Sequence, residues 1–251
     1  HMNKQRICIC GAGTMGSGIA QAAAQAGFPV ILYDLHAPTL EKANASIRNS
    51  LDTLQQKGKI SAEQNEEYAG AIRFTNEIKD CIADIFIEAI LEKAEAKTGL
   101  FNELAAINAP DAVFASNTSS LSISSIAAAL PHPERVIGLH FFNPATIMKL
   151  VEVISTDKTN SITIEKATAL IQAMGKTPVA CMDSPGFIVN RVARPYYIEA
   201  LRLLEAGIAD ISTIDTVMEA AGFRLGPFRL MDLIGNDVNY AVSCSVYEQL
   251  G

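Results

Sequence analysis

The feature that most constrains the fold is a glycine-rich turn near the N-terminus. Residues 6–10, which are Arg6 and four apolar residues, predict a short buried strand that stops at Gly11-Ala-Gly-Thr-Met-Gly16. Small, helix-compatible residues follow over residues 15–26, and Gly27 marks the end of that helix. A G-x-G-x-x-G turn leading from a strand into a helix leaves N–H groups free to hold phosphates. The pattern therefore predicts the first half of a dinucleotide-binding fold.

An acidic residue, Asp34, closes the next predicted strand, residues 30–33, and lies 23 residues after Gly11. A carboxylate there can accept hydrogen bonds from the adenine ribose hydroxyls, and its charge would repel a 2′-phosphate. It therefore favours NAD over NADP as the cofactor. A packed turn followed by a helix cap is the alternative. The candidate cofactor ligands are Gly11, Gly13, Thr14, Met15, Gly16 and Asp34.

The chain up to residue 183 alternates short apolar segments with helical patterns. The predicted strands are residues 72–74, 85–88, 113–115, 136–140, 150–154 and 177–180, and the predicted helices are residues 38–57, 61–69, 92–107 and 162–174. Such alternation indicates a mostly parallel sheet that is covered by helices on both faces. We therefore predict an α/β, Rossmann-like domain over residues 1–183, with a helical excursion after Asp34.

Only helical periodicity remains after residue 183. The predicted helices are residues 187–206, with a kink at Pro195, then 212–221 and 230–250. We predict a smaller all-α domain over residues 184–251. Because a helical piece of this size buries little apolar surface alone, we expect it to pack on the first domain or on a second copy.

Composition and charge exclude several classes of protein. The chain has 20 Lys and Arg against 27 Asp and Glu, and a net charge of −7 disfavours a nucleic-acid groove. Residues 7–33 carry no charge, but their glycines and Pro29 make a poor membrane helix. Five scattered cysteines without metal-ligand spacing predict a reduced, cytoplasmic protein without a metal. His1 and Met2 read as a remnant of a cloning vector.

His140 differs from the other histidines because it closes an apolar strand and enters the sequence Phe-Phe-Asn-Pro. This position predicts the edge of an α/β sheet at which ligands bind, and an imidazole there can remove a hydroxyl proton as hydride leaves. Glu152 lies within the next apolar strand, where a carboxylate is costly unless it is paired. A His140–Glu152 pair explains both residues. The alternative is a satisfied core histidine and an edge-strand glutamate.

Two other polar positions are ambiguous from the residues alone. Residues 116–120 follow the end of a predicted strand, so they could supply donors to a site or cap the helix near Ile123. Asn190 lies in the apolar start of the first C-terminal helix and is either a packing amide or a ligand of the site.

Five stretches of the chain are GAGTMGSGIAQ, SNTSSLSI, GLHFFNPATIMKLVEVI, DSPGFIVNR and GPFRLMDLIG. Together they resemble the short-chain L-3-hydroxyacyl-CoA dehydrogenase family, which includes bacterial 3-hydroxybutyryl-CoA dehydrogenases. The likeness extends over about residues 5–240. It implies NAD-dependent, reversible oxidation of an (S)-3-hydroxyacyl-CoA to the 3-oxoacyl-CoA, within fatty-acid β-oxidation, butyrate metabolism or aromatic-acid degradation.

The resemblance implies roles for single residues in catalysis. His140 would be the catalytic base and Glu152 the partner that orients it. Ser119 and Asn190 would hold the 3-oxygen of the substrate, which would lie in a cleft between the two domains.

The resemblance also implies ligand contacts. The nicotinamide half of NAD would contact Glu92, Lys97, Ser119 and Asn143. The acyl-CoA substrate would be held by Ser50, Lys57 and Ser119. An acidic protein that binds a phosphorylated handle needs local cations, which Lys57 and Lys59 can supply. The alternative is that both are solvated lysines at a helix end.

The resemblance further implies a homodimer through the C-terminal helices. Family members continue past the third of these helices into a Gly/Lys-rich segment, whereas this sequence stops at Gly251, so we expect the domain over residues 184–251 to lack its tail. Two other functions stay open on the residues alone. One is an NAD-binding structural or redox-sensing protein without turnover, and the other is a dehydrogenase of a sugar acid that needs no coenzyme A.

Overall fold

The computed structural model describes residues 5–250, so the predictions about His1, Met2 and the chain end at Gly251 lie outside the described residues. The chain divides into two compact units, His1–Asp183 and Ser184–Gly251. Residues 5–250 contain eight β-strands and ten α-helices. No helix in this range combines the length and the apolar character needed to cross a lipid bilayer.

The first unit is built on one sheet. Its strands are β1 (Ile7–Cys10), β2 (Val30–Tyr33), β3 (Ile72–Thr75), β4 (Ile85–Glu88), β5 (Val113–Ser116), β6 (Val136–Phe141), β7 (Leu150–Ser155) and β8 (Thr177–Met182). The spatial order is β3-β2-β1-β4-β5-β6-β7-β8, and every neighbouring pair is parallel except β6 and β7. The prediction of a mostly parallel, Rossmann-like sheet is confirmed.

Six helices accompany this sheet. They are α1 (Thr14–Gln25), α2 (Ala37–Gln56), α3 (Ala62–Gly70), α4 (Ala94–Ile107), α5 (Ile123–Ala128) and α6 (Ser161–Ala173). Strands β1, β2, β4, β5 and β6 are buried along their whole length, as expected of parallel strands covered on both faces. The strand order reverses between β1 and β4, and in open α/β sheets ligands bind in the crevice beyond the carboxyl ends of such strands.

The second unit is helical, as predicted, with α7 (Val189–Glu205), α8 (Ile211–Ala220), α9 (Pro227–Ile234) and α10 (Asn236–Leu250). The prediction of one continuous helix over residues 230–250 is wrong. Gly235 adopts φ +98 between α9 and α10, a backbone conformation that ends a helix and that glycine accepts without a steric penalty. The start of α9 is set by the buried Asp215 carboxylate, which accepts hydrogen bonds from the N–H groups of Phe228 and Arg229.

The core of the second unit is small. Tyr197, Ala200, Ile214, Phe228 and Met231 form one cluster of buried side chains. Pro195 lies inside helix α7, which continues on both sides of it.

Candidate active site

The glycine turn joins β1 directly to α1, and its geometry depends on the absence of side chains. A Cβ atom on Gly16 would stand 1.8 Å from the carbonyl oxygen of Gly11, a distance that no side chain can occupy. Gly13 is the N-cap of α1, and Gly13 and Thr14 are exposed while Gly16 is buried. The first N–H groups of α1 therefore open outward at the crevice, where a helix N-terminus favours phosphate.

Asp34 is tied to this turn through both of its carboxylate oxygens. Oδ2 accepts a hydrogen bond from the N–H of Ala12 at 2.9 Å, and Oδ1 accepts one from the N–H of His36 at 2.9 Å. Each oxygen retains a lone pair, so the carboxylate can still accept from ribose hydroxyls. Asp34, Gly11 and Gly13 line one cleft of about 570 Å³, which has room for the adenosine half of a dinucleotide.

A second cleft, of about 400 Å³, lies against α1 and α2. Its polar lining includes Thr14, Ser17, Lys42, Ser50 and Asn143. Two of the candidate ligand residues, Ser50 and Asn143, therefore share this cleft with the glycine turn. The Ser50 hydroxyl accepts a hydrogen bond from Gln21 Nε2 at 2.9 Å.

Lys42 within α2 and Lys57 at the C-cap of α2 lie at different places. Lys42 lines the 400 Å³ cleft and is a cation that the sequence interpretation missed. Lys57 is exposed at the C-cap of α2 and is not part of that lining. Helical spacing could have selected Lys42 from the sequence, because Lys42 lies eight residues before Ser50 and therefore on the same face of α2.

A buried ion pair lies beyond the carboxyl end of β4. The Lys97 ammonium, which is 1% exposed, donates to Glu88 Oε1 at 2.6 Å and contacts Glu92 Oε2 at 3.0 Å. Glu88 is fully buried and also accepts from the hydroxyl of Ser116 at 2.6 Å. The sequence interpretation selected Glu92 and Lys97 but missed Glu88. Glu88 could have been selected from the sequence, because it is an acidic residue at the end of an apolar strand, which is the pattern that selected Asp34.

Glu92 organises the loop that carries Ser119. Its Oε1 accepts from the Thr118 hydroxyl, from the Ser119 N–H at 3.3 Å and from the Ser120 hydroxyl at 3.0 Å. Burial alone would raise the pKa of Glu92, but the Lys97 ammonium and these hydroxyl donors outweigh burial and hold the pKa below its ordinary value. Glu92 is therefore ionised at neutral pH, and the loop is held by charge-assisted hydrogen bonds.

His140 and Glu152 face each other across the antiparallel pair β6–β7. His140 Nδ1 lies 2.7 Å from Glu152 Oε2, and the two residues are 6% and 1% exposed. The Phe142 ring packs against the imidazole, with ring centroids 4.6 Å apart. A buried carboxylate bound to Nδ1 fixes the ring orientation and favours a proton on Nδ1, so Nε2 is the nitrogen that can exchange a proton with a ligand.

The neighbouring loop also contacts β6. The Asn117 side-chain oxygen accepts from the Phe141 N–H at 2.9 Å, which ties the loop containing Ser119 to the residue next to His140. Ser119 is half-buried in that loop. Asn190 lies in the first turn of α7 in the second unit, and its carbonyl accepts from Arg194 Nε at 2.9 Å. The roles assigned to Ser119 and Asn190 stay predictions.

The cysteines are free thiols in the described structure. Cys181 on β8 is affected by the charge of Glu152. Burial, followed by the charges of Glu152 and Asp183, raises the pKa of the Cys181 thiol to about 11. A thiol with this pKa is neutral at physiological pH and is a poor nucleophile. Within residues 5–250 no cluster of His, Cys, Asp or Glu is arranged to hold a metal ion.

Oxidation of an alcohol by a dinucleotide needs phosphate donors, a ribose acceptor and a group that takes the hydroxyl proton as hydride leaves. The first unit contains these groups at the carboxyl edge of its sheet. The fold and the site together define a dinucleotide-binding domain of the class that dehydrogenases use.

Comparison with known proteins narrows this class. Residues 6–184 match the family model "3-hydroxyacyl-CoA dehydrogenase, NAD binding domain", and residues 186–251 match "3-hydroxyacyl-CoA dehydrogenase, C-terminal domain". The chain belongs to the 3-hydroxyacyl-CoA dehydrogenase family, and NAD is the cofactor of its first domain.

Individual relatives agree with this assignment. The chain is 47% identical to "3-hydroxyadipyl-CoA dehydrogenase" of Escherichia coli, over 98% of this chain and 52% of that protein. It is 39% identical to a "Probable 3-hydroxybutyryl-CoA dehydrogenase" of Deinococcus radiodurans, over 97% and 88%. The crystal structure of a 3-hydroxybutyryl-CoA dehydrogenase from E. coli matches with a TM-score of 0.97 at 46% identity, over 99% of this chain and 53% of that one. The chain therefore spans about half the length of these E. coli relatives.

Proposed function

We propose that the protein oxidises (S)-3-hydroxyacyl-CoA thioesters to 3-oxoacyl-CoA with NAD⁺, and catalyses the reverse reduction. The hydrogen bond between His140 Nδ1 and Glu152 Oε2 carries the proposal, because it prepares the imidazole to act as a base. Family membership favours this reaction over a sensor without turnover, and the buried pair has no purpose in a protein that only binds NAD.

The mechanism assigns one proton to the protein. NAD⁺, held by the glycine turn and Asp34, would supply the acceptor for the hydride that leaves C3 of the substrate. His140 Nε2 takes the proton of the 3-hydroxyl, and Glu152 stabilises the imidazolium that results. Ser119 and Asn190 hold the 3-oxygen, which orients C3 before the transfer. In the reverse direction His140 returns the proton to the 3-oxygen.

The cofactor fits the groups that would hold it. The N–H groups at the start of α1 serve the pyrophosphate, and Asp34 serves the adenine ribose. Glu92 and Lys97, through the loop that Glu92 organises, and Asn143 serve the nicotinamide half.

The basic test is a spectrophotometric assay with acetoacetyl-CoA. We expect the purified chain to oxidise NADH when this substrate is added, and to use NADPH much less well because Asp34 repels its 2′-phosphate. Binding of NADH without turnover of any 3-oxoacyl-CoA would contradict the proposal and favour the sensor. Turnover of a sugar acid without coenzyme A would favour the other alternative.

The names of the relatives leave the acyl group open. One is named for a six-carbon acyl chain that ends in a carboxylate, and another for a four-carbon chain that does not. We therefore propose a short 3-hydroxyacyl-CoA as the substrate class, with or without a terminal acid.

Coenzyme A is proposed to bind along α2, with Ser50 and Lys57 as ligands and Lys42 as an added cation. We expect Lys42→Glu and Lys57→Glu each to raise the KM for acetoacetyl-CoA by roughly tenfold, because a phosphate then meets a like charge. The KM for acetoacetyl-pantetheine, which lacks the nucleotide phosphates, should not change.

The matched control for these lysines is Lys79→Glu, since Lys79 is exposed and its ion pair in the described part of the chain is with Glu77 at 3.7 Å. If Lys42→Glu and Lys57→Glu behave like this control, coenzyme A does not bind along α2.

We also propose a homodimer formed through residues 184–251, located in the cytoplasm. Large apolar side chains are exposed on this unit, among them Val192 at 71% and Val217 at 59%, and a second copy could cover them. Free thiols fit a reducing compartment. The molar mass in solution tests the dimer, which should be about twice 26.9 kDa.

A further inference from the structure

Arg194 is a buried cation in the second unit and has no part in the functions assigned above. It lies on α7, one helical turn after Asn190, and only 8% of it is exposed. Residues four apart on a helix lie on the same face, with their Cβ atoms roughly 5–6 Å apart. Arg194 therefore neighbours the residue that is proposed to hold the 3-oxygen of the substrate.

Neutral oxygen atoms hold the guanidinium of Arg194. Nε donates to the Asn190 carbonyl at 2.9 Å. Nη1 donates to the carbonyl and the side-chain oxygen of Asn239 at 3.1 and 2.7 Å, and to the Ser243 hydroxyl at 2.8 Å. The carbon of the guanidinium lies 5.0 Å from the centre of the Tyr197 ring. Among residues 5–250, no carboxylate forms an ion pair with Arg194.

The Nη2 atom of Arg194 is the donor that remains. It makes no hydrogen bond within residues 5–250. Nη2 is not among the fully enclosed polar atoms that lack a partner in this range, which are Asn65 Oδ1 and Arg135 Nε. Nη2 is therefore the donor left for a ligand, while Nε and Nη1 hold the guanidinium in place.

Among residues 5–250, the other buried lysine and arginine side chains are Lys97 and Arg135. Lys97 contacts two carboxylates. Arg135, like Arg194, donates to backbone carbonyls, and it is the last of the groups that lower the pKa of Asp111, after Lys166 and the backbone of Asp111 itself. Burial instead lowers the pKa of Arg194, with only Tyr197 acting in the other direction. A buried charge is costly unless it is paired, and a neutral side chain could tie α7 to α10 at a smaller cost.

We propose that Arg194 is a specificity-determining residue that binds the terminal carboxylate of a dicarboxylic 3-hydroxyacyl-CoA. The inference rests on the proposed function, and in particular on Asn190 holding the 3-oxygen. In a six-carbon acyl chain the terminal carboxyl carbon lies three bonds from C3, at roughly 4 Å, which is within the reach of an arginine one helical turn from Asn190. We therefore take a six-carbon acyl chain that ends in an acid as the preferred substrate.

The test compares two substrates of equal length, 3-oxoadipyl-CoA and 3-oxohexanoyl-CoA, in NADH oxidation. We expect the wild-type protein to prefer the acid by its kcat/KM. In Arg194→Met the ratio of the two kcat/KM values should fall by about 10- to 100-fold, because a charge-assisted hydrogen bond to the carboxylate is lost. Arg194→Lys keeps the charge without the planar fork, and its ratio should lie between the two.

Arg202→Met is the matched control, since Arg202 is an exposed arginine of the same helix that pairs with Glu199 at 2.6 Å. Its ratio should equal that of the wild type. Equal loss of both substrates in Arg194→Met would overturn the inference and leave Arg194 as a structural tie. If Arg194→Met does not fold, Arg194→Lys and the wild-type preference decide the question.

Failure of the inference and failure of the proposed function give different results. A wild-type protein that reduces both substrates equally well contradicts the role of Arg194 and leaves the dehydrogenase intact. A folded wild-type protein that binds NADH and reduces neither substrate contradicts both.

Discussion

Replacing His140 by alanine is expected to lower kcat for acetoacetyl-CoA reduction by about 10² to 10⁴, the usual contribution of a general acid–base group. The β6–β7 pairing is made by backbone groups and stays in place, but the buried Glu152 carboxylate loses this partner, so circular dichroism should first confirm that the variant is folded. Stopped-flow or steady-state measurement of NADH absorbance gives the rate, and fluorescence titration with NADH checks that the cofactor still binds.

Glu152→Gln separates orientation from proton transfer. The amide can still hydrogen-bond to Nδ1 but cannot stabilise the imidazolium, so we expect a loss smaller than that of His140→Ala, and little further loss when the two are combined. The surface pair His132–Glu134, at 3.2 Å and with both side chains largely exposed, provides the matched control. His132→Ala should retain the full rate. A similar rate in His140→Ala would remove the assigned base.

Replacing Lys97 by methionine is expected to lower the free energy of unfolding by about 3–5 kcal/mol, the cost of leaving a buried charge without its partner. Glu88 would then keep a fully buried carboxylate with only neutral donors and backbone N–H groups around it. Urea unfolding followed by circular dichroism measures the change.

Two comparisons make the result specific to the pair. The double variant Lys97→Met/Glu88→Gln should be more stable than Lys97→Met alone, since the fully buried carboxylate is gone, while Glu92 is 38% exposed and keeps its hydroxyl donors. Lys166→Met breaks the surface pair with Asp111, in which the aspartate is 79% exposed, and should cost at most about 1 kcal/mol. A loss in Lys97→Met as small as this would mean that water reaches Glu88.

Local patterns were enough to predict much of the fold. Apolar segments that stop at glycine or at an acid predicted β1, β2 and β4, because a buried parallel strand has no polar face. The glycine turn was predicted with its structural consequence, since only glycine allows the approach seen between Gly16 and Gly11. The exception in the second unit was Gly235, because apolar residues on both sides of it continue a helical period that the backbone interrupts.

The candidate site divides in the same way. Asp34 and His140 each close a strand and could be selected one at a time from their neighbours in sequence. Glu88 closes a strand in the same manner, but its meaning depends on Lys97, which lies nine residues later near the start of α4 and comes within 2.6 Å through the turn between β4 and α4. Contacts of this kind depend on how elements pack, and no local pattern encodes them.

The sequence alone determined the order of strands and helices and the dinucleotide turn, because these depend on neighbours within about one turn or one strand of chain. It also determined the likeness to a family, which short stretches of sequence carry. The tertiary structure decided the antiparallel register that sets His140 opposite Glu152, the burial of Lys97 between two acids and the position of Lys42 in the cleft of Ser50. Register and burial arise from contacts between distant segments, and a shift of one residue in β7 would turn Glu152 to the other face of the sheet.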